Sequence, residues 1–164
     1  MERLWSPWRL AYVTGSSASD ICIFCKAGTA GDDPLVVARG THCFIILNLY
    51  PYNSGHLMVV PKRHVASLAG LEPEEANEVM RFTQWGELVL NDVYQPQGIN
   101  IGINLGRPAG AGIVDHVHVH LVPRWTGDTN FMSVVGSVRV LPEEVHQSAS
   151  RLRPAFDQLL AHRP

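Results

Sequence analysis

The sequence predicts an α+β domain: a largely antiparallel sheet of about five strands, one long central helix and a second helix at the C-terminal end. Three observations carry that reading. Short apolar segments of strand length stand on both sides of one long amphipathic stretch. Gly, Pro and Asn punctuate those segments at short intervals. The strands come in runs instead of alternating with helices, which disfavours a parallel βαβ sheet.

Taken in order, residues 1–20 are an aromatic arm, with Trp5, Trp8 and Tyr12 ahead of a Gly-Ser-Ser-Ala-Ser spacer. Tryptophans are costly to leave in water, so the arm is expected to dock on the domain or on another subunit. Residues 34–38 and Cys43–Leu47 read as strands joined by a turn near Arg39 and Gly40. A third strand at 57–60 is entered through Asn53-Ser54-Gly55 and ended by Pro61. Pro73–Tyr94 is the main helix. Pro73 suits its first turn, Glu74 and Glu75 favour its positive end, and Ala76, Val79, Met80, Phe82, Leu90 and Val93 recur on one face. Residues 99–103 and 116–122 are strands linked by a Gly-rich connection. A short strand at 134–140 and a helix at 142–152, ended or broken by Pro154, complete the chain. The organisation is an arm over 1–20, a folded domain over 21–141 and a helical extension over 142–164.

With 164 residues, 46% hydrophobic and 17% charged, the chain can bury one full core. A net charge of −2 argues against an extended cationic surface and therefore against a nucleic-acid partner. The apolar runs are too short to span a bilayer, so no membrane partner is expected. The start shows no uninterrupted apolar stretch of the secretory kind, which predicts a cytoplasmic protein. Three cysteines make no disulfide framework. Cys22 and Cys25 form a C-x-x-C, while Cys43, in an apolar strand, is a small buried hydrophobe. The unusual count is histidine: eight in all, three of them in His116-Val117-His118-Val119-His120.

Strand alternation would place those three imidazoles on one face, roughly 6.6 Å apart at about 3.3 Å per residue. Burying three histidines together requires partners for all their ring nitrogens, which argues for function over structure. Two chemistries fit. One is a metal centre, since a His-x-His pair on a strand commonly holds zinc. The other is phosphoryl chemistry, with a neutral imidazole as nucleophile and its neighbours steadying phosphate oxygens.

The run His116 to Val122 resembles the signature of the histidine triad (HIT) superfamily. Similar support comes from Ile46-Leu47-Asn48 and from Gly55-His56-Leu57-Met58-Val59-Val60-Pro61-Lys62-Arg63-His64. Leu4-Trp5-Ser6-Pro7-Trp8-Arg9, Cys22-Ile23-Phe24-Cys25 and the segment from Pro123 to Met132 resemble the bacterial branch that includes diadenosine tetraphosphate phosphorylases. The resemblance covers roughly residues 1–155 and implies a HIT-like fold. It makes His118 the nucleophile that takes a nucleoside monophosphate, flanked by His116 and His120. It puts Asn48 at the ribose hydroxyls, Asn104 at the α-phosphate and His56 near the site, as a direct participant or as a buried hydrogen-bonding support. Many family members carry a polar Gln-Ser pair before the triad. Here the amides of Gly110, Ala111 and Gly112 stand in its place, and Asp115 adds negative charge nearby.

The C-x-x-C with histidines downstream suits a tetrahedral Cys₂His₂ zinc site. By resemblance to zinc-bearing branches and to galactose-1-phosphate uridylyltransferases, its ligands are Cys22, Cys25, His64 and His116. His42 is the rival fourth ligand. Such a zinc would be structural, because four protein ligands leave no open position. Lys62, Arg63, Arg107 and Arg124 are either contacts for distal phosphates or solvated charges. Trp125 and 128–132 either close over a nucleotide or simply pack.

The function that the resemblance implies is a nucleotidyl transferase or hydrolase acting on dinucleoside polyphosphates. Diadenosine tetraphosphate, cleaved by phosphorolysis, is the leading substrate. A nucleoside phosphoramidase, or a zinc-stabilised nucleotide-binding protein with little turnover, is the alternative. The resemblance also implies a homodimer built on paired central helices and a sheet continued across the two-fold.

Overall fold

The computed structural model describes residues 22–128 and 143–162. The aromatic arm and the strand expected at 134–140 lie outside the described residues. The elements run α1 (Ile23–Thr29), β1 (Val36–Arg39), β2 (Cys43–Leu47), β3 (Leu57–Pro61), α2 (Pro73–Tyr94), β4 (Gly98–Ile103), β5 (Val119–Arg124) and α3 (Val145–His162). The five strands form one sheet in the order β1-β2-β3-β5-β4, antiparallel at every pairing. This is the α+β architecture expected from the sequence.

α2 starts and stops where the sequence places it. Glu75 turns back to accept the backbone N–H of Glu72 at 2.9 Å, satisfying a donor at the helix start. Its carboxylate is also gripped by Arg63 at 2.8 and 2.6 Å, which ties the turn after β3 to the helix. That pairing holds the Glu75 carboxyl down to about 2. At the other end Gln95 turns into the left-handed region with φ 46°. Val79, Phe82, Trp85, Val89 and Leu90 bury one face of α2 on the sheet. Gly86 lets the two approach: a Cβ there would stand 2.9 Å from Leu121 Cδ2.

Alternation gives the sheet two different faces. Ile45, Leu47, Leu57, Val59, Val119 and Leu121 form the main core with α2 and α3. Phe44, Ile46, Met58 and Val60 form a smaller cluster on the other face with Phe24 and Ala27. The imidazoles of His118 and His120 belong to this second side, because their neighbours Val119 and Leu121 point into the main core.

Three local features differ from expectation. Seven residues that include Gly28 have little intrinsic helicity, yet α1 forms because Phe24 and Ala27 are buried against the sheet. The C-terminal helix begins at Val145 and passes through Pro154 without ending there. Buried Ala149, Leu152 and Phe156 anchor it on both sides of the proline and outweigh the lost hydrogen bond. Finally, the regular strand carrying the triad begins at Val119, so His116 and His118 precede it. No described helix is long and apolar enough to cross a membrane.

Candidate active site and metal cluster

The chain ahead of β5 pairs with the turn after β3. The N–H of Val117 donates to Val65 O at 2.7 Å, and His116 Nε2 donates to Pro61 O at 2.8 Å. That attachment explains why regular pairing starts only at Val119. The rings of His118 and His120 lie with centroids 4.7 Å apart in a T-shaped arrangement.

Two protonation states follow from the hydrogen bonds. His118 Nδ1 lies 2.9 Å from the carbonyl oxygen of His116. A carbonyl only accepts, so Nδ1 carries the proton and the Nε2 lone pair is left available. His118 is 5% exposed, and burial pushes its pKa below the ordinary imidazole value, which keeps it neutral. A second chain of contacts runs through His56, which is fully buried. The N–H of Tyr52 donates to His56 Nδ1 at 3.1 Å, and Asn48 Nδ2 lies 3.4 Å from the same nitrogen. His56 Nε2 therefore holds the proton and donates it to His120 Nδ1, 3.0 Å away. With Nδ1 accepting, His120 carries its proton on Nε2. His118 thus presents an unprotonated Nε2, and His120 a protonated one.

The expected nucleotide contacts divide. Asn48, just past β2, accepts the N–H of Tyr50 through Oδ1 at 3.0 Å, and its backbone N–H donates to His56 O at 2.9 Å. It thus braces the turn that carries His56. Asn104, His120 and Arg124 line a cavity of about 300 Å³ on the β4–β5 part of the same face. The expectation for the Gly-rich loop needs correction. The N–H of Gly110 donates to Arg107 O at 2.9 Å and that of Ala111 to Gly106 O at 3.3 Å, so both are spent inside the loop. Among the described residues, only Gly112 of the three makes no such backbone bond. Tyr52, Asn53, Asn100 and Gly102 also line the cavity, and the sequence reading assigns none of them to the site. The available signal is the two-residue period that aligns Asn100 and Gly102 on one face of β4, with Asn104 just past its end.

Cys22, Cys25, His64 and His116 converge beside the triad, their ligand atoms all within 4.8 Å of one another. Cys22 Sγ is 3.4 Å from His116 Nδ1, and Cys25 Sγ is 3.2 Å from His64 Nδ1 and 3.7 Å from His116 Nδ1. Zn–S bonds of about 2.3 Å and Zn–N bonds of about 2.0 Å give tetrahedral edges of roughly 3.3–3.8 Å, so the donor set fits zinc. His116 Nε2, bonded to Pro61 O, leaves Nδ1 as the ligating atom. His42 does not join this cluster among the described residues. Cys43 is fully buried away from it, and burial pushes its thiol pKa up.

The HIT domain family model matches residues 32–127. The AP-4-A phosphorylase of Mycobacterium tuberculosis is 45% identical over 152 residues, which cover 87% of this chain and 78% of that protein. The bis(5'-adenosyl)-triphosphatase of Dictyostelium discoideum is 31% identical over 121 residues, covering 70% and 80% respectively. Among solved structures, a Zn-bound histidine triad family protein from Mycobacterium smegmatis matches with a TM-score of 0.70 and 28% identity, covering 89% of this chain and 100% of that one. A histidine triad with two of its three rings buried, a five-stranded antiparallel sheet and these relatives lead to one conclusion: the chain belongs to the HIT domain family.

Proposed function

We propose that this chain is a nucleotidyl transferase or hydrolase that cleaves dinucleoside polyphosphates, with diadenosine tetraphosphate as substrate and phosphate as acceptor. The observation that carries the reading is the contact from His118 Nδ1 to the carbonyl of His116, which leaves Nε2 as a neutral nucleophile. The Nε2 lone pair attacks the α-phosphorus, forming an N–P bond as the P–O bond to the nucleoside triphosphate breaks. The ring becomes cationic in that step, and the His116 carbonyl stabilises it through the Nδ1 proton. His120, its tautomer set by His56, donates from Nε2 to the phosphate oxygens. Phosphate then breaks the N–P bond and releases a nucleoside diphosphate; water in its place would release a monophosphate.

Asn48 and Asn104 hold the ribose and α-phosphate in this reading, with Gly112 offering an amide. His56 acts through His120 and is a positioning residue. Cys22, Cys25, His64 and His116 would hold a structural zinc, which supplies cross-linking and no open coordination position.

Incubation with diadenosine tetraphosphate tests the assignment. ATP and ADP are expected with phosphate present, and ATP and AMP at a lower rate without it. No turnover in either condition sinks the proposal. Turnover of adenosine phosphoramidate alone would assign a phosphoramidase.

The same reading includes a homodimer. β4 is an edge of the sheet, with Ile101 46% exposed, and α2 presents Met80 at 60% and Leu88 at 44%. Light scattering at micromolar concentration is expected to give the mass of two chains. A monomer would contradict it.

A further inference from the structure

Gly102 sits in the interior of β4, where glycine weakens a strand and offers nothing to pack. Nothing among the described residues asks for it. Its φ is not in the left-handed region, and a Cβ built there would meet no atom of the described residues within 4 Å. Gly86 is the contrast, since there the close approach of Leu121 leaves no room. In register, Gly102 is paired with His120. A side chain at 102 would therefore stand beside that imidazole and reduce the cavity that both residues line.

The cavity has a defined chemistry. It extends from His120 along β5 to Arg124, about 13 Å at roughly 3.3 Å per residue, farther than one phosphate group reaches. At its far end Arg124 donates to both carboxylate oxygens of Asp128, through Nε at 2.6 Å and Nη2 at 2.7 Å. Its Nη1 donates to Asn100 Oδ1 at 3.0 Å. Asn53 Nδ2 donates to the same carboxylate at 2.7 Å and to Pro123 O at 2.8 Å. The guanidinium is thus already balanced by a carboxylate. This wall offers hydrogen-bonding groups with little net charge, which suits sugar hydroxyls and a base edge better than another phosphate. A volume of about 300 Å³ is at the lower bound of ordinary ligand sites.

We propose that this cavity is a leaving-group subsite that seats the second nucleoside of a dinucleoside polyphosphate, and that Gly102 is the specificity-determining residue that keeps it open. The inference rests on the proposed reaction at His118. There the breaking P–O bond releases the half of the substrate that this subsite holds.

Binding tests it independently of turnover. In a His118→Ala background, which removes cleavage, calorimetry compares diadenosine tetraphosphate with AMP. Adding Gly102→Leu is expected to weaken diadenosine tetraphosphate about tenfold or more while AMP changes by less than about twofold. Asn100→Leu, on the same face two residues away, should act in the same direction. Gly102→Ala controls for the strand and should melt no lower than its parent. Equal effects on both ligands, or no effect on either, overturn the subsite. So does a change of oligomeric state caused by Gly102→Leu, which would assign the glycine to a contact between copies. Failure of the proposed function looks different: the unmodified protein neither turns over nor binds the dinucleotide.

Discussion

Replacing His118 with alanine is expected to lower turnover of diadenosine tetraphosphate by about 10³-fold or more, at least roughly 4 kcal/mol of transition-state stabilisation. The magnitude follows from what is lost. His118 is the ring with an unprotonated Nε2 fixed by a backbone carbonyl, and no other described side chain has that arrangement beside it. His120 cannot replace it, because its Nδ1 accepts from His56 and its Nε2 carries a proton. The covalent step should vanish along with the rate. Brief reaction and quenching are expected to trap an acid-labile nucleoside monophosphate on the unmodified protein and none on the variant. Retention of more than about a tenth of the activity would remove His118 from the mechanism. The fold should survive, since the metal cluster and the main core do not use this ring.

Removing the metal site is expected to have the largest effect on stability. The purified protein should contain about one equivalent of zinc, and Cys25→Ser should abolish it. The accompanying loss of stability is expected to be several kcal/mol, or roughly 10 °C in Tm. The reason is local. α1 is seven residues long and holds its place through Phe24, Ala27 and the two cysteines around which it begins. Without the cross-link, only burial of two side chains and the hydrogen bonds from Arg39 to the carbonyls of Ala27, Gly28 and Ala30 hold that short segment among the described residues. His42→Ala should leave the metal content unchanged, because His42 stands outside the cluster. Affinity should fall as pH drops, because protons compete for thiolates and imidazoles. Metal content below about a tenth of an equivalent, after preparation without chelators, would argue against the site.

Much of this arrangement is legible in the sequence because it is local. Pro73 and the acidic first turn define the start of α2, and the period of its apolar residues defines its length. The triad face follows from alternation alone. The start of β5 does not, since it depends on Val117 and His116 bonding to the distant turn at Pro61 and Val65. His56 shows the same limit. The sequence leaves it open between participant and support, and only the register that sets Met58 opposite His120 brings its ring to that histidine. The Gly-rich loop reads as a set of phosphate-binding amides, yet a short helical turn at Arg107–Ala109 consumes two of them. Composition shows flexible backbone there, but not where its donors are spent.

The strand order has a consequence for how the site comes into being. β1, β2 and β3 form a meander of near neighbours, whereas the β3–β5 seam joins segments on opposite sides of the long helix. His56 and His120 meet across that seam from 64 positions apart, and Cys22 meets His116 from 94. Contacts of such separation carry the entropic cost of closing long loops before they return any stability. A nascent chain truncated before residue 116 can complete the meander and α2 and still lack every triad imidazole. Assembly of the triad therefore requires the β3–β5 seam, and any activity recovered on refolding would report closure of that seam.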